Sequence, residues 1–107
     1  MINIFLDDNR TGPIHAPDLG SDAKEWVICR GVESVKVFLS QGIVNNMSLD
    51  NDLCLDQETG YDLVCWMEEN NIWPQGKISV HSSNPVGRKN MITVLEKCGK
   101  YQDWVLP

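Results

Sequence analysis

Residues 2–8 read INIFLDD, and this short stretch decides the fold. An apolar run of strand length that stops abruptly at two carboxylates predicts a strand buried on both faces, as in a parallel sheet. Two later stretches repeat the arrangement. IVNNMSLDNDL (43–53) leads through a weaker apolar segment to Asp50 and Asp52. KISVHSSNPVG (77–87) leads to His81, Ser82, Ser83 and Asn84.

Working outward, EWVICR (25–30) predicts a second strand, and Ser34 or Glu33 caps a helix running to about Gln41, with Val35, Phe38 and Leu39 on one face and Gly42 as its stop. Thr59 opens a helix over GYDLVCWMEENN, with Leu63, Val64, Trp66 and Met67 as its apolar stripe. A third helix is predicted from about Val86, with Met91, Val94, Leu95 and Cys98 inward and Gly99 near its end. DWVLP (103–107) predicts a last short strand. Residues 9–24 hold Gly12, Pro13, Pro17 and Gly20 without helical periodicity and predict a long loop, of the kind that is often functional. Strands alternating with helices at short joints imply α/β architecture with right-handed crossovers. The 107 residues suit one domain, 1–107, with one core.

The four cysteines, Cys29, Cys54, Cys65 and Cys98, form no CxxC pair, which argues against a zinc knuckle or redox dithiol; they are expected to be reduced. The net charge of −6 argues against non-specific binding to duplex DNA or to an anionic membrane. There is no apolar run of about 18 residues to span a bilayer. MINIFLDDNR lacks the basic region and cleavage site of a secretory signal, so a cytoplasmic location is expected. No GxGxxG, GxxxxGK[ST], HExxH or GxSxG motif is present.

In parallel sheets ligands bind beyond the carboxyl ends of the strands. Asp7, Asp8 and Asp50 are expected there together, within reach of one ion because neighbouring strands lie about 4.8 Å apart. Converging carboxylates repel unless a cation sits among them. An all-oxygen site suits Mg²⁺ or Mn²⁺. Asp52 offers a fourth oxygen, from its side chain or its backbone carbonyl, or else is a solvated loop residue. His81 titrates near neutrality and could act as general acid or base. Ser82, Ser83 and Asn84 carry groups that hold phosphate oxygens, and the N–H groups opening the following helix favour an anion. Pro85 and Gly87 would shape that entry, and Arg10 or Arg88 could add a bidentate phosphate contact. His15 lies in the long loop. Trp66 and Trp73 read as packing residues; a base-stacking role stays open for Trp26 or Trp104.

FLDD, SLDND and a hydroxyl residue after the fourth strand resemble the receiver domain of bacterial response regulators. That resemblance implies a receiver/flavodoxin-like five-strand parallel sheet of order 2-1-3-4-5, here with the first helix replaced by a loop and the last helix absent. It implies Mg²⁺ at Asp7, Asp8 and Asp50, and Asp50 as phosphoacceptor, with Ser82 or His81 at the hydroxyl position. The pattern departs where receivers carry lysine before proline, since Leu106 precedes Pro107 and Lys100 lies before the strand. LDDNR (6–10), SLDNDL (48–53), TGYDLVCWM (59–67) and HSSNPVGRKNM (81–91) more closely resemble the cyclic-phosphate-processing receiver domain. That likeness implies a metal-dependent phosphoesterase. Asp7, Asp8, Asp50 and Asp52 would bind metal; His81, Asp50 and Ser82 would be catalytic; Arg10, Ser82, Ser83, Asn84, Gly87 and Arg88 would bind phosphate. The ligand would be a small phosphorylated molecule or an RNA end. A non-catalytic module binding such a molecule is the alternative.

Overall fold

The computed structural model describes residues 1–8, 26–53 and 58–103. Four strands and three helices alternate: β1 (Ile2–Leu6), β2 (Trp26–Cys29), α1 (Val32–Ser40), β3 (Val44–Leu49), α2 (Gly60–Asn70), β4 (Ile78–Val80) and α3 (Pro85–Lys97). The strands form one parallel sheet of order β2-β1-β3-β4. On the free side of β4, Ile78 forms a parallel bridge with Tyr101, its N–H donating to Lys100 O and its carbonyl accepting from Gln102 N–H. The fifth pairing position is therefore reached at Tyr101, ahead of the expected DWVLP strand. Residues 104–107 and the expected loop over 9–24 lie outside the described residues, as do Cys54, Asp56, Arg10 and His15.

One face of the sheet makes the core. Ile4 and Leu6, Met47 and Leu49, Ile78 and Val80 alternate along their strands and pack with Val32, Val35 and Leu39 of α1, Leu63, Val64 and Met67 of α2, and Met91 and Leu95 of α3. Apart from Val32, which precedes the expected helix start, these are helix positions expected from the 3.6-residue period; Phe38, Trp66 and Val94 are only partly buried beside them, and Cys98, expected inward, is half-buried outside the core. The opposite face differs from an ordinary doubly wound sheet. It carries Phe5, Ser48 and Ser79, which are Cα partners across β1, β3 and β4. β1 is buried on both faces, as expected, with Phe5 on this second face; on β3 and β4 the same face is buried but polar.

The weak middle of β3 is a bulge. Ile2 pairs with Val44 but Ile4 with Met47, so Asn45 and Asn46 face Asn3 alone. The buried Asn3 side-chain oxygen accepts the Asn46 N–H at 3.0 Å, satisfying the group that the bulge leaves unpaired.

Helix starts depart from the expected ones by a residue or two. Gly31, in extended conformation, precedes α1 without any side-chain cap, in place of Ser34 or Glu33; burial of Val32 draws the first turn forward. Thr59 does open α2, in a reciprocal capping box with Asp62. Pro85, not Val86, begins α3, since its fixed φ and missing N–H suit the first helical position.

Candidate functional site

Backbone register assembles the site. Leu6, Leu49 and Val80 are Cα partners across three strands. The next residue on each strand is Asp7, Asp50 and His81. The last rungs of the ladder hold all three in place: Asp7 N–H donates to Cys29 O (3.0 Å), Asp50 N–H to Leu6 O (2.9 Å) and His81 N–H to Leu49 O (3.0 Å). Two residues back on the same strands lie Phe5, Ser48 and Ser79. A strand presents alternate residues to one face, so these form a second row beneath the first.

The two rows interlock through the imidazole. His81 stacks on Phe5, with ring centroids 4.3 Å apart and planes 3° from parallel. The serine side chains of β3 and β4 are small enough to admit the ring over them. His81 Nε2 lies 3.0 Å from Asp7 Oδ2, and Nδ1 lies 2.7 Å from Ser48 Oγ, which in turn accepts the Ser79 hydroxyl at 3.1 Å. The His81 and Asp7 side chains are 4% and 2% exposed, so this pair sits in a medium poorer in water than the surface.

Asp7, Asp50 and His81 each direct one ligand-type atom to a common region, all within 4.8 Å of one another. Asp7 is buried and Asp50 half-buried. Carboxylate oxygens brought this close fit a hard divalent cation, which would offset their repulsion. Asp8 follows at the same strand end, half-buried, outside the convergent group.

The other expected site residues make a scaffold joining the SLDNDL and HSSNPVG segments. Asp52 Oδ1 accepts from Asn51 Nδ2 and Asn84 Nδ2, each at 3.2 Å, and Asp52 does not join the convergent group. Asn84 caps α3: its Oδ1 accepts the N–H groups of Val86 and Gly87, at 3.1 Å each. Those are the helix N-terminal donors expected to attract an anion, and they are engaged from within the chain. Ser82 is buried, and its Oγ accepts the Asn84 N–H at 3.1 Å. Ser83 is exposed. Gly87 is where α3 meets the Asn51 side chain, whose Nδ2 a Cβ would strike. Asn51 Oδ1 also accepts from Tyr61 N–H, and its carbonyl from Gly60 N–H, tying the same loop to α2. Arg88 faces Asp103, at 3.9 Å. Trp26 opens β2, at the end of the sheet away from the carboxylates.

Four residues of this region escaped the sequence reading: Phe5, Ser48, Ser79 and Arg30. Arg30 follows the last residue of β2, and its Nη1 donates to the Asp7 carbonyl at 3.1 Å. It sits beside Asp7 as Asp50 does on the other flank, which puts a guanidinium at the edge of the acidic rim. A period-two reading back from Asp50 and His81 would have found the serines. Cys29, Cys65 and Cys98 are free thiols, as expected; burial pushes the Cys29 thiol up to about 11.

No helix among the described residues is long and apolar enough to cross a membrane. Comparison with curated proteins and with solved structures returns no match. The family model described as the cyclic-phosphate processing receiver domain matches residues 2–97, nearly the whole chain, and the protein therefore belongs to that family.

Proposed function

We propose that this protein is a divalent-metal-dependent phosphoesterase that opens a cyclic phosphate, on a nucleotide-type small molecule or an RNA end. The observation that carries the reading is the convergence of Asp7, Asp50 and His81 within 4.8 Å at one level of the sheet. Asp7, Asp50 and the neighbouring Asp8 would hold Mg²⁺ or Mn²⁺. A bound ion of this kind supplies Lewis-acid charge to phosphoryl oxygens and lowers the pKa of its water.

The chain's own groups have distinct tasks in this reaction. Water adds to phosphorus, the bond from phosphorus to one ring oxygen breaks, and that oxygen takes a proton to leave a phosphomonoester. His81 is the general acid, with its Nε2 side facing the carboxylate rim. Arg30, anchored on the Asp7 carbonyl, and Ser82 contact the phosphate from the two flanks. Asn84 acts through the loop it braces.

A second reading has its own support. The His81 ring is almost fully covered, which suits a module that binds a phosphorylated molecule without turning it over. The deciding experiment is incubation with 2′,3′- and 3′,5′-cyclic nucleotides and with RNA ending in a 2′,3′-cyclic phosphate, with Mg²⁺ or Mn²⁺. Ring-opened product is expected, with turnover about 10²–10⁴-fold lower for His81→Ala. Thermal protection without product supports the binding module. A stable adduct on Asp50 after acetyl phosphate treatment would replace both with a phosphoacceptor.

A further inference from the structure

Asn51 has no task in the reaction just described, yet it follows Asp50 directly and is only 6% exposed. All four of its polar groups are engaged. Its N–H donates to Asp50 Oδ1 at 2.8 Å, and its carbonyl accepts Gly60 N–H at 3.0 Å. Its side-chain Oδ1 accepts Tyr61 N–H at 3.0 Å, and its Nδ2 donates to Asp52 Oδ1 at 3.2 Å. The partners fix the direction of each bond, because a backbone N–H only donates and a carbonyl or carboxylate oxygen only accepts. The side-chain amide therefore has one orientation. The first turn of α3 closes the remaining side: a Cβ added at Gly87 would run into Asn51 Nδ2 and Cγ. Glycine lets that helix lie directly on the amide.

We infer that Asn51 is a positioning residue for Asp50 and, through it, a determinant of which ion the acidic rim accepts. A carboxylate at a strand end turns about its Cβ–Cγ bond unless something holds it. Here the Asn51 N–H holds Oδ1, and that N–H is itself fixed. The carbonyl and the side chain of Asn51 are bound to the first two residues of α2, and its amide is pressed by Gly87 of α3. Both helices thus set the direction of Asp50 through one residue. The consequence for ion choice rests on the divalent-metal reading of Asp7 and Asp50. An oxygen already engaged by a fixed N–H is a poor second tooth for chelation, so Asp50 offers one oxygen. Mg²⁺ and Mn²⁺ suit single carboxylate oxygens in near-octahedral order, whereas Ca²⁺ accepts both oxygens of a carboxylate in looser geometry. A held Asp50 favours the smaller ions; a released one serves Ca²⁺ as well.

Titration calorimetry of the folded protein with Mn²⁺ and with Ca²⁺ tests the assignment. Asn51→Ala should lower Mn²⁺ affinity about 10–100-fold, the usual loss when the support of a metal ligand is removed, and Ca²⁺ affinity by less, so that the ratio of the two falls. Equal losses for both ions would mark a merely structural residue and overturn the assignment, as would a folded Asn51→Ala with unchanged Mn²⁺ binding. Gly87→Ala reaches the same amide from α3 and should reproduce the selective loss. In the double variant, where the clash has gone, it should add little to Asn51→Ala; fully additive losses contradict the joint. Amide hydrogen exchange on the metal-free protein gives a readout that needs no ion. Asn51 N–H should be protected in wild type and lose protection in Asp50→Ala, and Tyr61 N–H should lose it in Asn51→Ala. Rapid exchange of Asn51 N–H in wild type overturns the hold on Asp50 whatever the ions do. Wild-type protein that binds neither ion, with that amide protected, would remove the metal reading and the selectivity role and leave the hold standing.

Discussion

Gly60→Ala tests how the second helix and the candidate metal centre depend on each other. Gly60 is the first residue of α2, and an added Cβ would run into the backbone carbonyl oxygen of Asp50 and come within 2.9 Å of Met91 Cε. The methionine end can swing away; the carbonyl cannot, because the Asp50 N–H is bonded to Leu6 and Gly60 itself donates to Asn51 O. The contact must open by roughly an ångström to reach van der Waals range. Overpacking against backbone belongs at the upper end of the usual cost, about 3 kcal/mol. Alanine's better helix propensity returns at most about 1 kcal/mol. The net loss is about 2 kcal/mol, or roughly 8–16 °C in Tm for a domain of this size. The displaced atom belongs to Asp50, so its carboxylate moves with it, and Mn²⁺ affinity should fall about 10–100-fold, as when outer-shell support of a metal ligand is lost. The assays are thermal unfolding by circular dichroism without metal and Mn²⁺ titration calorimetry on the folded protein. Leu39→Ala is the control: a buried residue in the last turn of α1, it should cost about 2–5 kcal/mol and leave Mn²⁺ affinity alone. Unchanged stability in Gly60→Ala would refute the contact. Lost stability with unchanged Mn²⁺ affinity would refute the link from that contact to an ion held by Asp50.

Asp50→Asn should hold or raise the Tm of the metal-free protein by relieving repulsion with Asp7, and should abolish the gain of about 2.7 kcal/mol expected for wild type at a metal concentration of about 100 times Kd; thermal scans with and without Mg²⁺ check both. Asn84→Ala, which removes the cap of α3 and the brace to Asp52, should cost about 1 kcal/mol in urea unfolding, and Asn84→Ser should recover most of it. Cys29, raised from 9.0 to about 11 by burial, favours folding while it stays protonated. Its contribution is complete below about pH 9 and is lost as pH rises towards about 11, because only the unfolded chain ionises readily there. Urea midpoints should fall through that window in wild type and less in Cys29→Ala, and Cys29 should react slowest with a thiol reagent at about pH 8.

The rim of the sheet was legible because its chemistry interrupts apolar runs. Carboxylates and an imidazole cannot be hidden inside INIFL, MSL or ISV, so Asp7, Asp50 and His81 mark the strand ends in the sequence itself. Parallel register then requires that they lie level, and Leu6, Leu49 and Val80 are indeed partners. Helix positions were legible for the same kind of reason: a 3.6-residue period picks out Leu63, Val64, Met67, Met91 and Leu95, all fully buried. The functional meaning of the polar residues beyond the strand ends was not. Asp52, Asn84 and Gly87 carry groups that suit a metal or a phosphate, but the same groups suit turns and caps, and composition does not distinguish the two uses. Only the distances from Asn84 to Val86, Gly87 and Asp52 do so.

Ser48 and Ser79 show the opposite failure. Each looks like a gap in an apolar strand, and on a sheet covered on both faces a serine reads as a weakness in packing. Its position decides otherwise. Ser48 lies two residues before Asp50, and Ser79 two before His81, so both share the face of the acidic rim. Larger residues there would fill the space that the imidazole occupies against Phe5. The sheet therefore gives up apolar packing on one face to seat a histidine, and recovers it on the other, where all three helices close over Ile4, Leu6, Met47, Leu49, Ile78 and Val80. A valine at either serine would test that trade directly. It should pack acceptably in a strand, expel the His81 ring, and separate Asp7 from its 3.0 Å partner. A folded Ser48→Val protein with the His81 stacking on Phe5 intact would show that the small side chains are incidental.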